Sequence, residues 1–206
     1  LDTVQHIVLV VASRKILKVD LQSFKLEAAD LWDHSLLVAE LCARIARLKN
    51  GAVPPDVAFT PGLLHDLGKV VLSQHFRAVY QQILLQMNKA ADQTSFTQIE
   101  EEFTGYNHAE IGARLLEAWQ FPAELVSAIR HQYNPQEAGA ASELSSMLHV
   151  ANAIALSAGV GIDIGGLHQI IHPGALHLLG LNDQQVMQLY SDLPELLELM
   201  QDLRGL

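Results

Sequence analysis

The chain has 206 residues, half of them hydrophobic but only 6% aromatic, so its core must be built from Leu, Ile, Val and Ala. Thirteen Lys and Arg against 23 Asp and Glu give a net charge of -10, which argues against binding a nucleic-acid backbone, since that needs a basic face. The single cysteine, Cys42, cannot form an internal disulfide, and its apolar surroundings predict a buried thiol of the kind a reducing cytosol tolerates. The longest apolar run, Ile7 to Ala12, is too short to span a bilayer and lacks a following cleavage site, so neither a membrane span nor a signal peptide is expected.

Taken in chain order, helical periodicity dominates. Ile7 to Val11 is the one strand candidate, and its helical flanks favour a buried helix. Leu31, His34, Val38, Leu41, Ile45 and Leu48 form one stripe of a long helix that Asn50-Gly51 should end. Pro54-Pro55-Asp56 opens a second helix, since proline suits a first turn. Thr97 with Glu100 has capping-box spacing, and Asn107 with Glu110 repeats it ahead of a helix carrying Ile111, Leu115 and Trp119. Phe121-Pro122 restarts the chain into a helix ending near Tyr133. Ser142 to Gly159 is a further helix, and Gly159 to His172 is a loop. Pro173 to Leu179 is a short helix closed by Gly180. Asn182 caps the last helix, with Val186, Leu189, Leu193 and Leu197 along it and Pro194 as a kink or break. The expected fold class is all-α, one domain over residues 1–206.

Ten histidines invite a search for ligands. His6, His75, His168, His172 and His177 fit no ligand pattern. The informative segment is Gly62-Leu63-Leu64-His65-Asp66-Leu67-Gly68-Lys69. Adjacent His and Asp project about 100° apart on a helix, so they share a metal only at a helix flank near its end. Gly68 leaves room for another element to approach, and Lys69 supplies a cation suited to a phosphate oxygen. An imidazole with a carboxylate suits zinc, iron, manganese or magnesium. His34, inward on its stripe, needs a partner such as a metal or Asp66.

These residues resemble the HD superfamily of metal-dependent phosphohydrolases, whose signature is a His, a His-Asp pair and a distant Asp; His34 and then His65 with Asp66 match it. Leu31-Trp32-Asp33-His34-Ser35, the Gly62 to Lys69 segment, Asn107-His108-Ala109-Glu110-Ile111-Gly112-Ala113, Glu117-Ala118-Trp119-Gln120-Phe121-Pro122 and Ala128-Ile129-Arg130-His131 follow in order. Together they resemble the HDOD group, over about Leu31 to Leu156. The resemblance implies an HD-like helical bundle preceded by a helical subdomain, of which about Leu1 to Leu21 would be the tail, as in a piece of a longer protein. It also implies one or two divalent ions, or none, and a cytoplasmic bacterial regulator working beside signalling proteins, receiver domains or cyclic-dinucleotide-related domains.

Likeness to the HD-GYP branch adds His108 and His131 as ligands of a second metal; packing against a carboxylate and a helix C-terminal cation are the competing roles. In an active enzyme Asp66 and Lys69 would be catalytic, and Lys69 and Arg130 would steady phosphate. Two departures weigh against hydrolysis. Asn152 stands where the last Asp is expected, and a neutral amide weakens a divalent ion and cannot act as a base. His149, one turn earlier, is the residue that could compensate. His131-Gln132-Tyr133-Asn134-Pro135 replaces the His-His-Glu and Gly-Tyr-Pro hallmark. The expectation is a non-catalytic regulatory module with a degenerate metal site; the alternative is a metal-dependent phosphohydrolase acting on a nucleotide or cyclic dinucleotide.

Overall fold

A computed structural model of the chain describes residues 11–17, 21, 24, 26, 29–49, 51, 53–87, 95–161 and 171–204. Helices follow one another: α1 (residues 11–17), α2 (Asp30–Lys49), α3 (Pro55–Leu64), α4 (Leu67–His75), α5 (Arg77–Met87), α6 (Phe96–Thr104), α7 (His108–Ala118), α8 (Ala123–Arg130), α9 (Ser142–Ser157), α10 (Pro173–Leu179), α11 (Asp183–Ser191) and α12 (Leu193–Arg204). Two 3-10 turns, Pro135–Glu137 and Gly139–Ala141, link α8 to α9. Among the described residues no strand forms; Leu21 and Leu26 make an isolated bridge. The all-α expectation holds. Of the Ile7 to Val11 stretch, read as a buried helix, Val11 is helical but exposed, and residues 7–10 lie outside the described residues.

The core is organised on α2, which buries residues all round its axis, from Leu31 and Trp32 to Ile45 and Ala46. Such a helix must be enclosed by others, and α3, α9, α11 and α12 pack on it. Cys42 is buried there, and burial pushes its thiol far above the ordinary range. One apolar cluster runs from Leu17 to Met200 among the described residues. Two glycines set the packing distances around the His-Asp pair. A Cβ on Gly62 would stand 2.5 Å from Ala39 Cα, so α3 lies directly on α2. A Cβ on Gly68 would stand 1.8 Å from the His108 carbonyl oxygen, so α4 lies directly on α7. The role read for Gly68 is the observed one.

Several local expectations shift. Ser95, not Thr97, caps α6, in a full capping box with Gln98. Glu100 is fully buried and serves elsewhere, so the box read at Thr97 does not form. Asn107 and Asn182 are N-caps, accepting from Glu110 and Gln185 backbone N–H groups; the box read at Asn107 is not completed, because the Glu110 carboxylate goes to Arg114 and Arg130. The inward face of α7 is His108, Ala109, Gly112, Ala113 and Leu116, whereas Trp119 is 48% exposed past the helix end. Close packing on Gly68 requires the small residues to face in, which turns the larger stripe outward. α8 stops at Arg130, leaving Tyr133 in the following turn. The last helix is divided at Asp192, immediately before the Leu193-Pro194 start of α12. α2 ends at Lys49; Asn50 lies outside the described residues. Gly159–Gly161 is non-helical, residues 162–170 lie outside the described residues, and His172 caps α10 by accepting from Gly174 N–H.

Candidate metal centre

His65 and Asp66 form the turn between α3 and α4, so one short corner aims both side chains past the end of α3. His34 comes from the adjoining flank of α2. One ligand atom from each of His34, His65 and Asp66 lies within 4.8 Å of the others, and all three residues are buried. His65 Nδ1–H donates to the Gly62 carbonyl at 2.8 Å, and His34 Nδ1–H donates to the Val160 carbonyl at 2.9 Å. Carbonyls only accept, so both rings keep a proton on Nδ1, and in the neutral form each presents its lone pair at Nε2. Metal-ligating histidines are held in this manner. Gly161 stands against the His34 ring; a Cβ there would lie 2.4 Å from His34 Cβ.

The electrostatics agree. Burial holds the His65 pKa down to about 4, reinforced by His34 and Lys69 and opposed by Asp66, so the imidazole is neutral at pH 7. Burial alone would raise the Asp66 carboxyl, but His65, Lys69, His108 and His34 together hold it well below the usual carboxylate range. His65 Nε2 and Asp66 Oδ1 are buried with no hydrogen-bond partner. Orphaned buried acceptors are costly unless a cation or water meets them. Two imidazoles and one carboxylate, all lone-pair donors, fit a divalent ion such as zinc, manganese or iron, with coordination positions left open.

The other expected residues are placed as follows. Lys69 is buried, with Nζ 2.7 Å from Asp66 Oδ2. His108 is buried, and its Nε2 is 3.8 Å from Asp66 Oδ1. Its ring is already bonded at both nitrogens: Nδ1–H donates to Glu100 Oε2 at 2.5 Å, and Nε2 accepts from Tyr133 O–H at 2.7 Å. Glu100 also accepts from Tyr80 O–H at 2.5 Å and from His108 N–H at 3.1 Å. His131 is the C-cap of α8 and is outside the His34, His65 and Asp66 group. Arg130 pairs with Glu110 at 2.9 Å and Glu117 at 3.3 Å. Asn152 is buried on α9. His149 is bonded on both sides: Nδ1–H donates to the Gln132 carbonyl at 2.9 Å, and Nε2 accepts from His172 N–H at 3.0 Å. His75 and His177 are exposed, and His6 and His168 lie outside the described residues.

Sequence reasoning missed Glu100, Tyr133 and Gln132. Glu100 has a signal: it falls one helical turn after Phe96 and beside Ile99, so a carboxylate lies on an apolar face. Gln132 donates from Nε2 to the His65 carbonyl at 3.2 Å, and nothing in the local pattern announces that. The Val160 carbonyl that fixes His34 is a backbone group 126 residues away.

Residues 1–135 match the HDOD domain family. An uncharacterised protein of Treponema pallidum (strain Nichols) is 26% identical over 116 residues, covering 55% of this chain and 22% of that protein. The chain thus spans about a fifth of that curated relative. An HDOD domain protein of unknown function from Geobacter sulfurreducens superposes with a TM-score of 0.76 at 24% identity, covering 96% of this chain and 70% of that one. A protein from Shewanella amazonensis SB2B, provisionally named a phosphohydrolase, gives a TM-score of 0.58 at 29% identity over 81% of this chain and 65% of its own. The MmoQ response regulator of Methylococcus capsulatus gives 0.58 at 26% identity over 84% of this chain and 64% of its own.

Proposed function

Because the chain belongs to the HDOD family, we propose that it is a regulatory HD-like domain of a bacterial, cytoplasmic signalling protein whose centre binds a divalent ion without hydrolysing a phosphoester. The observation that carries this is the donor set: His34, His65 and Asp66 together within 4.8 Å, with a single carboxylate among them. A divalent ion there would supply Lewis acidity to an oxygen ligand. His34 and His65 would hold it through Nε2, in tautomers fixed by Val160 and Gly62, and Asp66 through its carboxylate. At position 152 a carboxylate would add charge and a base; the amide of Asn152 adds neither. Both ring nitrogens of His149 are engaged with Gln132 and His172, so it does not make up that loss. Arg130 is committed to Glu110 and Glu117, which weakens its candidacy for phosphate.

The likeness to a response regulator supports a signalling role, with receiver-type or other signalling domains as partners. Among the described residues no helix is long and apolar enough to cross a membrane. The apolar cluster that runs from Leu17 to Met200 among the described residues supports one domain over residues 1–206. A second reading, a metal-dependent phosphohydrolase, is favoured by the likeness at 29% identity to the Shewanella protein.

Elemental analysis of protein purified without a His tag, before and after incubation with manganese, iron or zinc, tests both. The expected result is up to one ion per chain, lost in His65→Ala with Asp66→Ala, and no turnover of phosphodiesters, nucleotides or cyclic dinucleotides. Turnover that disappears in the double variant would establish the hydrolase. Failure of the wild type to retain any of the three metals would remove the metal from the proposal.

A further inference from the structure

Three nitrogens converge on one oxygen of the centre. Asp66 Oδ2 lies 2.7 Å from Lys69 Nζ, 3.4 Å from His65 Nε2 and 3.9 Å from His34 Nε2. Neither imidazole nitrogen is hydrogen-bonded to the carboxylate: His65 Nε2 has no hydrogen-bond partner, and His34 Nε2 stands beyond hydrogen-bond distance, while the Nδ1 protons go to Gly62 and Val160. The Lys69 ammonium therefore neutralises Asp66, and both groups are buried, at 5% and 0% exposure. The oxygen nearest the two imidazole lone pairs is the oxygen that the ammonium holds. A metal–carboxylate bond is about 2.0–2.2 Å long, and a divalent cation repels an ammonium at such range strongly in a buried setting. Metal and ammonium cannot share Oδ2 without a large electrostatic cost, and an ion taken by the orphaned Oδ1 would still face the ammonium across one carboxylate.

We propose that Lys69 is a built-in competitor for the centre: its ammonium and a divalent ion are alternative counter-charges for Asp66, and metal uptake displaces Lys69 from Oδ2. The inference rests on the reading of His34, His65 and Asp66 as a divalent-ion site. It reassigns Lys69 from a group that steadies phosphate to one that sets how tightly metal is held. The residue is well placed to report the exchange. It follows Gly68, which lies against the His108 carbonyl and Gly112, so movement of Lys69 occurs where α4 meets the backbone of α7. Apo and metal-bound states would then differ in that seam, as a signalling domain requires of a bistable element.

Manganese and zinc binding to the full chain, measured by calorimetry on wild type, Lys69→Met and His65→Ala, is the test. Lys69→Met is expected to bind on the order of ten-fold more tightly than wild type, and His65→Ala to bind neither ion. Equal or weaker binding by Lys69→Met overturns the competition while leaving the metal site standing. No binding by wild type or Lys69→Met overturns the metal reading itself, and the competition with it. Removing the ammonium leaves a buried carboxylate, so the variant can fail to fold. A second measurement on wild type then decides: acylation of lysines with mass-spectrometric readout, with and without saturating manganese. Several-fold faster modification of Lys69 in the metal-bound protein supports displacement; unchanged modification with manganese bound overturns it.

Discussion

Two buried histidine sites lie side by side in this protein, and they are finished differently. At His108 every polar atom of the ring has a protein partner, Glu100 on one nitrogen and Tyr133 on the other, and Glu100 is closed in turn by Tyr80. At His65 one nitrogen is bonded to the Gly62 carbonyl, while Nε2 and the neighbouring Asp66 Oδ1 have no hydrogen-bond partner. A saturated network contributes to stability and holds its members in place. A set of orphaned acceptors costs stability unless a cation meets it. The first site therefore joins α5, α6, α7 and the turn after α8, and the second is the one suited to a ligand.

The largest expected effect follows from that contrast. Glu100→Ala removes the shared acceptor and leaves Tyr80 O–H and two His108 N–H groups buried without it, a loss of about 4 kcal/mol in chemical denaturation. His65→Ala should cost about half as much, since its ring makes one hydrogen bond, but should abolish metal binding. A finding that Glu100→Ala leaves stability unchanged, or that His65→Ala is the more damaging of the two, would break the division into a structural and a binding site.

The pH response sharpens it. In metal-free protein the folded His65 pKa is held to about 4 against an ordinary 6.5. Only the unfolded chain takes up that proton between these values. The stability that neutral His65 contributes is therefore whole above about pH 6.5 and is lost progressively as pH falls toward 4. The total is on the order of 3 kcal/mol. Denaturation midpoints of wild type and His65→Gln, compared from pH 7 to pH 4, should converge as pH falls. Parallel curves would show that the buried ring is not held neutral in the fold.

Much of this was legible in the sequence because it depends on local spacing. The long stripe through His34, the His65-Asp66 corner, the Asn107 and Asn182 caps and the break before Pro194 are all set by residues within a turn or two of one another. Gly68 could be read for close approach because a glycine beside a His-Asp pair has few other purposes. What the sequence left dark is long-range. The Val160 carbonyl reaches His34 across 126 residues, Gln132 reaches the His65 carbonyl across 67, and Tyr133 meets His108 across 25. No periodicity encodes such pairings. For Lys69 the position one turn past the pair was plain, but its direction toward Asp66 depends on how α4 leaves the corner.

The smallest effect concerns the one capping assignment that moved, and it tests why it moved. Two boxes were available at the start of α6, Thr97 with Glu100 and Ser95 with Gln98. Had the first formed, Glu100 would have been drawn to a helix-end backbone N–H at the surface, and Tyr80 and His108 would have lost their acceptor. Burial of Glu100 decides the competition, and the helix starts two residues earlier, with Ser95 Oγ accepting from Gln98 N–H and Gln98 Oε1 accepting from Ser95 N–H. Ser95→Ala should then cost about 1 kcal/mol, and Thr97→Ala, half-buried and not a cap, no more than about 0.5 kcal/mol. In the Glu100→Ala background the constraint on the helix start is gone, so the penalty for Ser95→Ala should shrink. Measured as a double-mutant cycle in urea, a non-zero coupling between positions 95 and 100 would show that the buried network, and not local propensity, sets where α6 begins.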